Sequence, residues 1–294
     1  MIPTLLAIAT LTFFMMRLAP GGPFQSEREI PAAAKEVLLA KYGLDRPWPE
    51  QYVTFLGNAV RLDFGPSYKY PTQQVIDIIR AGFPVSLELG LWALLLALAI
   101  GVPIGVIAAN RQNTATDYIT MSTMLLGVSV PNFVLGPVLI LFFSLTLYWL
   151  PPALWLGPAN RILPVVTLSA IYLAYIARLT RGGMLETLRQ DYIRTARAKG
   201  LPESRVIFGH ALKLGILPVV SYLGPAVSRI VMGSIVIEQI FAVPGLGRQL
   251  VAAAFNRDYT LVLGIVVFYA GFLMVLNLVV DIAYSWLDPR VELA

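Results

Sequence analysis

Apolar and polar positions along the chain fall into long blocks. Six blocks are nearly free of charge: 2–19, 89–110, 118–160, 162–177, 214–243 and 259–286. A helix crosses the hydrocarbon core with about 20 mostly apolar residues, so these blocks predict six transmembrane helices and an all-α polytopic membrane protein. The first carries only Arg17, at its end, where the side chain can snorkel. It is read as a retained helix because no Lys or Arg precedes it and Leu18-Ala-Pro-Gly-Gly-Pro23 is no small-x-small cleavage site. The 118–160 block has room for a helix plus an aromatic, proline-rich turn at Trp149-Leu-Pro-Pro152. The 162–177 block is short unless Arg161 and Arg178 mark its interfaces, and 259–286 is closed by Asp288-Pro289-Arg290. An even number of spans puts both termini on one side.

Between the first two spans the pattern changes. Segment 20–82 is punctuated by Pro and Gly and holds seven basic and seven acidic residues. It reads as a folded extramembrane insert with short helices near 32–42 and 72–81. The expected organisation is therefore transmembrane helix 1 over 1–19, the insert over 20–82, and a transmembrane core over 83–294.

Composition agrees with this reading. Of 294 residues 57% are hydrophobic and 13% charged, and mean hydropathy is +0.72. Soluble domains run about 45–50% apolar and about 25% charged, so a water-soluble globule and a disordered chain are both excluded. Charge adds orientation. Segment 178–213 holds eight basic and three acidic residues, a net of +5, and the remaining 14 basic and 14 acidic residues cancel. Positive charge in short loops marks the cytoplasmic side. Both termini, the 110–117 loop and 178–213 are then cytoplasmic, and the insert and the loops near 150–161 and 244–258 face outward. Long loops translocate largely regardless of charge, so the insert's basic residues are no objection.

Several chemistries drop out. Without cysteine there are no thiolate nucleophiles, zinc–thiolate sites or iron–sulfur clusters. His210 is the single histidine, so no H-E-x-x-H metal site can form. No G-x-x-x-x-G-K-[ST] string occurs, and Gly245-Leu-Gly-Arg-Gln-Leu250 reads as an outer turn rather than a dinucleotide fingerprint. Ser129 lacks the second glycine of a nucleophile elbow. The basic loop lies beside apolar spans, which makes lipid orientation a simpler cause than nucleic acid. No catalytic or metal site is expected.

Charges within or at the ends of spans are the first candidates for function, because a charge at the bilayer centre costs about 2.5–3.5 kcal/mol on insertion scales. Arg229 is the deepest, and Glu88, Glu238 and Asp281 lie near predicted helix ends. All four are candidates for a translocation path. Breaks at Gly101-x-Pro103-x-Gly105, Pro131, Gly136-Pro137, Pro218 and Gly224-Pro225 fit either kinked path-lining helices or ordinary helix packing.

The 178–213 loop carries more information than charge. Met184, Leu188 and Tyr192 repeat at i, i+4 and i+8, and Leu185, Leu188 and Ile193 extend an apolar face. Asp191 can cap a short helix running to Lys199, with Gly200 as its left-handed end and Pro202 preventing continuation. A rigid cytoplasmic helix between two spans is what docking to a soluble partner requires.

This loop resembles the so-called EAA loop of the membrane subunits of binding-protein-dependent ABC importers. The string Asp191-Tyr-Ile-Arg-Thr-Ala-Arg-Ala-Lys-Gly200 is similar to the version in the dipeptide/oligopeptide/nickel permease group. The resemblance continues through Arg17-Leu-Ala-Pro-Gly-Gly22, Tyr42-Gly-Leu-Asp-Arg-Pro47, Asp63-Phe-Gly65, His210-Ala-Leu-Lys213, Leu217-Pro218, Pro244-Gly-Leu-Gly247, Asn256-Arg-Asp-Tyr259 and Asp288-Pro-Arg290. Phe13-Phe-Met-Met-Arg-Leu-Ala-Pro20, Asp63-Phe-Gly-Pro-Ser-Tyr-Lys69 and Ser221-Tyr-Leu-Gly-Pro225 tilt it towards the oligopeptide branch.

The resemblance implies a heterodimer with a second homologous permease, two cytoplasmic ATPases and an extracytoplasmic peptide-binding protein. It implies residence in a bacterial or archaeal cytoplasmic membrane. ATP and Mg would be bound by the partner subunits and no cofactor by this chain, which is then not itself an enzyme. It implies that the helix between spans 4 and 5 is a coupling helix seated on an ATPase. Arg194, Thr195, Ala196 and Gly200 fall at motif positions, flanked by Asp191, Tyr192, Arg197, Ala198 and Lys199. The first two letters of the general E-A-A pattern are here Arg194 and Thr195, a departure the closer group shares. The implied cargo is a peptide, with a dipeptide, nickel chelate or glutathione as alternatives. A self-sufficient secondary transporter is the competing class and would need paired acidic or His residues at the bilayer midplane.

Overall fold

The computed structural model describes residues 1–18, 22 and 32–287. Among these every regular element is helical, apart from one isolated bridge between Pro66 and Gln74. The helices are α1 (Ile2–Leu18), α2 (Ala32–Lys41), α3 (Trp48–Val60), α4 (Val75–Asn110), α5 (Ala115–Ser129), α6 (Asn132–Leu139), α7 (Pro158–Leu188), α8 (Asp191–Ala198), α9 (Leu212–Gly215), α10 (Leu217–Ile240), α11 (Leu246–Phe255) and α12 (Tyr259–Leu287). Ile140–Thr146 and Arg205–Ala211 wind as π-helices. The chain forms two compact units, Met1–Val85 with Pro244–Leu278, and Ser86–Val243 with Val279–Ala294.

Among the described residues three helices are long and apolar enough to cross a membrane: Val75–Asn110, Pro158–Leu188 and Tyr259–Val280. The number becomes five when each of two bent pairs counts as one span, Ala115–Gly127 with Asn132–Thr146 and Arg205–Gly215 with Leu217–Ile230. The first pair breaks at Pro131, where the missing N–H cannot continue the hydrogen-bond ladder. The second bends by 48° ahead of Pro218. α1 is apolar but has only 17 residues.

Other boundaries differ from those the sequence predicts. The 72–81 helix is no separate element: turns occupy its start, and Val75 opens a 36-residue helix that continues through the 89–110 block. At 1.5 Å per residue α4 is about 54 Å long, well beyond a hydrocarbon core of about 30 Å. Likewise α7 does not stop at Ala177 but runs on through Arg178 and Arg181 to Leu188. A hydropathy block ends at the first charge; a helix need not. The 42–72 stretch contains α3, and the expected turn at Gly245 opens α11 with Gly245 as its N-cap. The Asp288-Pro289-Arg290 stop and residues 19–21 of the Arg17–Gly22 string lie outside the described residues.

In the first unit α1 packs on α3 through rings: Phe13 is fully buried, 5.2 Å from Tyr52 and 5.7 Å from Phe55. Asp258, also buried, organises the 66–70 turn and the start of α12. Its carboxylate accepts from the Ser67 hydroxyl, the Tyr68 amide at 3.1 Å, the Lys69 amide at 3.2 Å and the Leu261 amide at 3.2 Å.

The second unit is built around α7. Gly101 and Gly105 of α4 let that helix approach α7 closely, with a hypothetical Gly105 Cβ only 2.6 Å from the Ala177 carbonyl oxygen. α4 is unbroken across Pro103. For the Gly101–Gly105 string, then, close helix packing is the reading that holds. Asp117 at the start of α5 is 1% exposed and accepts two hydrogen bonds from Arg181 of α7, both at 2.6 Å.

Candidate functional site

The last turn of α7, the eight-residue helix α8 and the π-helical Arg205–Ala211 form one assembly. α8 has apolar residues at i and i+3: Ile193 is fully buried and Ala196 is 5% exposed. They enter a cluster with Val106 and Ala109 from the end of α4, Met184 from α7, and Val206, Ile207 and Ala211. Leu185, Leu188 and Leu201 pack against its edge. Met184, Leu188 and Tyr192 do not share one helix as their spacing predicts, because α7 ends at Leu188 and α8 starts afresh at Asp191. The turn between them folds Met184 and Ile193 into the same cluster.

The ends of α8 show how so short a helix holds its shape. Gln190 takes the N-cap position, so Asp191 sits in the first turn rather than capping. There its negative charge favours the helix N-terminus, and Arg194 lies 3.4 Å from its carboxylate. At the other end Gly200 has φ +76°, as its left-handed role requires. The Gly200 amide donates to the Arg197 carbonyl at 2.9 Å and the Leu201 amide to the Ala196 carbonyl at 3.4 Å, which together make a Schellman terminus. Arg197 then reaches past the turn to Glu203 with bonds of 2.6 and 3.1 Å. The Arg197 hydrogen bond holds the Glu203 carboxyl below the usual glutamate range, and Arg197 itself is shifted up.

Asp191, Tyr192, Arg194, Thr195, Arg197, Ala198, Lys199 and Gly200 are all exposed. Ala196 alone among the loop candidates faces inward, where its methyl packs in the cluster instead of meeting solvent. The result is a polar, mostly cationic ridge fixed on an apolar base. Glu203 is the participant that the sequence did not single out. Nothing local marks it, since it meets Arg197 only because Gly200 reverses the chain.

The four path candidates separate. Arg229 is exposed on α10, without an ion pair or hydrogen bond among the described residues, and within electrostatic reach of the Tyr172 and Tyr222 phenols. Close by, the Tyr175 and Tyr222 rings lie 5.9 Å apart and the Arg178 guanidinium sits 5.8 Å from the Tyr175 ring. These three residues extend the Arg229 face, and the sequence reading did not single them out as candidates. Glu88 lies well inside α4, not near a helix end, and pairs with Arg161 at 3.2 Å beside Trp155. Glu238 is completely buried, accepting from Ser86 and Ser234 at 2.7 Å each, so it belongs to the packed interior and not to a path-facing surface. The Asp281 side chain lies outside the described residues.

An all-helical chain with several long apolar helices is a multi-pass membrane protein, and solved permeases share its fold. A subunit of the MetNI methionine ABC transporter, in an inward-facing form, superposes with a TM-score of 0.62 at 16% identity, over 72% of this chain and 96% of that one. An amino acid ABC transporter chain gives 0.52 at 17% identity, over 74% and 95%. Residues 101–293 match the family described as binding-protein-dependent transport system inner membrane component. The chain belongs to that family, and with it to the cytoplasmic membrane. It is 49% identical to the oligopeptide transport system permease protein OppB of Salmonella typhimurium, over 99% of this chain and 96% of the relative. It is 46% identical to the dipeptide transport system permease protein DppB of Bacillus subtilis, over 100% and 95%.

Proposed function

We propose that this chain is one of two permease subunits of an ATP-driven importer of peptides, with oligopeptides as the main cargo. The oligopeptide assignment is supported by identity to OppB over almost the full length of both chains. Similar identity to DppB keeps dipeptides as a second reading. In this proposal α1, α4, the α5–α6 pair, α7, α10 and α12 are the six spans, both termini are cytoplasmic, and the 20–82 insert faces the binding protein. ATP hydrolysis belongs to two separate ATPase subunits, and a second homologous permease completes the path.

The observation that carries the coupling role is the two-sided character of α8. Its polar ridge is free to seat on an ATPase, while Ile193 and Ala196 are packed against α4, α7 and the 205–211 turn. A dense apolar cluster transmits displacement because it has few voids to absorb it. When ATP closes the ATPase pair, motion of α8 is passed to α4 and α7, and the path alternates between its inward and outward openings. Nucleotide shifts that equilibrium only by binding one state more tightly. Exposed Arg229, with Tyr175, Arg178 and Tyr222, is the part of the surface we assign to the path, since a guanidinium within a span faces water or protein rather than lipid. The test is uptake of a labelled tripeptide into proteoliposomes holding this chain, its partner permease, the ATPases and the binding protein. Uptake that needs ATP and all subunits is expected. Equal uptake by this chain alone defeats the proposal in favour of a self-sufficient transporter.

A further inference from the structure

The first unit contains a cavity of about 290 Å³ between α1, α3 and the segments around 41–46 and 63–68. Arg17 enters it from the end of α1. Its guanidinium lies 3.5 Å from the centre of the Phe13 ring, and Gln51 accepts from its Nε at 3.1 Å and its Nη2 at 2.6 Å. Gln51 is itself held in place, donating to the Leu44 and Arg46 carbonyls at 3.2 and 2.7 Å. The guanidinium is therefore held in one orientation, yet its Nη1 is buried and has no hydrogen-bond partner among the described residues. A buried charged donor left unpaired is costly.

The surroundings sharpen the point. Lys41 and Arg46 also line the cavity, against a single carboxylate among the described residues, Asp63. None of the three cations has a carboxylate within ion-pairing distance among the described residues. Asp63 instead accepts from the Gly65 amide at 3.1 Å. The buried Asp258 is engaged by Ser67 and the neighbouring amides. A guanidinium held in place under surplus positive charge favours a carboxylate as the cavity's occupant. Phe55, Tyr42 and Tyr68 supply aromatic wall. The volume is at the lower limit of ligand pockets, about 300–1,000 Å³, so it takes the end of a chain rather than an extended peptide.

We infer that this cavity binds a carboxylate, the C-terminal carboxylate of a short peptide, with Arg17 as its held cationic partner and Lys41 and Arg46 drawing it in. The inference rests on the peptide-importer reading and adds a peptide contact in the first unit, on the side that reading takes as outward.

The experiment is equilibrium binding of radiolabelled trialanine to the assembled transporter in nanodiscs, without binding protein or nucleotide. Competitors are trialanine C-terminal amide and an amidated Ala-Asp-Ala. Saturable binding is expected, with both amidated peptides competing at least tenfold more weakly than trialanine acid. Arg17→Gln is expected to weaken binding at least tenfold, and Arg17→Lys less. Because Arg17→Gln also loosens the packing on Phe13, the exposed pair Lys41→Gln and Arg46→Gln provides a second test. It is expected to weaken binding several-fold and flatten its salt dependence. No saturable binding, an amide that competes within twofold of the acid, or wild-type affinity in both variants overturns the site. Equal competition by amidated Ala-Asp-Ala overturns the assignment to a peptide terminus. ATP-driven uptake by the same wild-type preparation, with binding protein added, separates the two claims: failed uptake counts against the importer, and failed binding with intact uptake counts against this cavity.

Discussion

Arg181 closes a two-pronged pair on Asp117, with both nitrogen–oxygen distances at 2.6 Å, and so ties the start of α5 to the last third of α7. Asp117 is almost wholly buried and Arg181 is 27% exposed. The Asn113 amide adds a third donor to the carboxylate at 3.0 Å. Removing one partner of a fully buried pair costs about 3–5 kcal/mol. Solvent at Arg181 reduces this, and Arg181→Gln is expected to cost about 2–3 kcal/mol. Thermal unfolding in detergent checks it through a double-mutant cycle with Asp117→Asn. Each single variant lowers the midpoint, and the double variant loses less than the two losses summed. Additive losses would show that the pair does not act as a unit.

Gly105 and Gly182 give opposite expectations for the same substitution. A Cβ at Gly105 meets the Thr180 side chain and the Ala177 carbonyl, whereas nothing lies within 4 Å of one at Gly182. Gly105→Ala forces α4 away from α7 and is expected to destabilise by about 1–3 kcal/mol. Gly182→Ala relieves a helix interior of glycine and is expected to stabilise by about 0.5–1 kcal/mol. Unfolding midpoints measured side by side decide; a Gly105→Ala midpoint at or above wild type would rule out the close contact.

The Gly200 turn offers a test of coupling that leaves the spans alone. At φ +76° a β-branched side chain is strained by about 1–2 kcal/mol. Gly200→Val is expected to loosen the Schellman terminus and free Arg197 from Glu203, while the transporter still assembles. Peptide-stimulated ATP turnover should fall several-fold with basal turnover less affected. Unchanged stimulation in an intact assembly would remove α8 from the coupling role.

What the sequence reveals and conceals follows from the range of each interaction. Gly200 and Pro202 announce the end of α8 because a left-handed residue and a proline act on their immediate neighbours. Apolar blocks announce α4, α7 and α12 because lipid imposes composition over a whole span. α3 stayed hidden because Trp48, Tyr52 and Phe55 are separated by polar residues and preceded by Pro47, so no continuous apolar block marks it. The extension of α7 past Ala177 was concealed by Arg178 and Arg181, whose charges end a hydropathy block without ending the helix. Glu238 read as a possible path residue because its partner Ser86 is 152 positions away. Arg17 and Gln51, 34 positions apart, likewise meet only through tertiary packing. No local pattern encodes such pairs.

Glu203 supplies the pH dependence of the α8 turn. Its hydrogen bond from Arg197 lowers the carboxyl pKa in the folded protein relative to the ordinary glutamate value of about 4.3. A carboxylate with a depressed folded pKa contributes stability that is fully present above the unfolded value and is lost as pH falls through the folded one. The turn should therefore hold unchanged at neutral pH and loosen only below about pH 4. Both side chains are nearly half exposed, so the loss is local and small, and salt weakens it further. A carbon-13 titration of the Glu203 carboxyl is expected to show a midpoint below that of a free glutamate, moving up in Arg197→Gln. Amide exchange at Gly200 and Leu201, corrected for its intrinsic pH dependence, should rise over the same interval in wild type but be raised throughout in Glu203→Gln. A midpoint at the free-glutamate value, or exchange indifferent to both changes, would mean that the Arg197–Glu203 pair does not hold the turn.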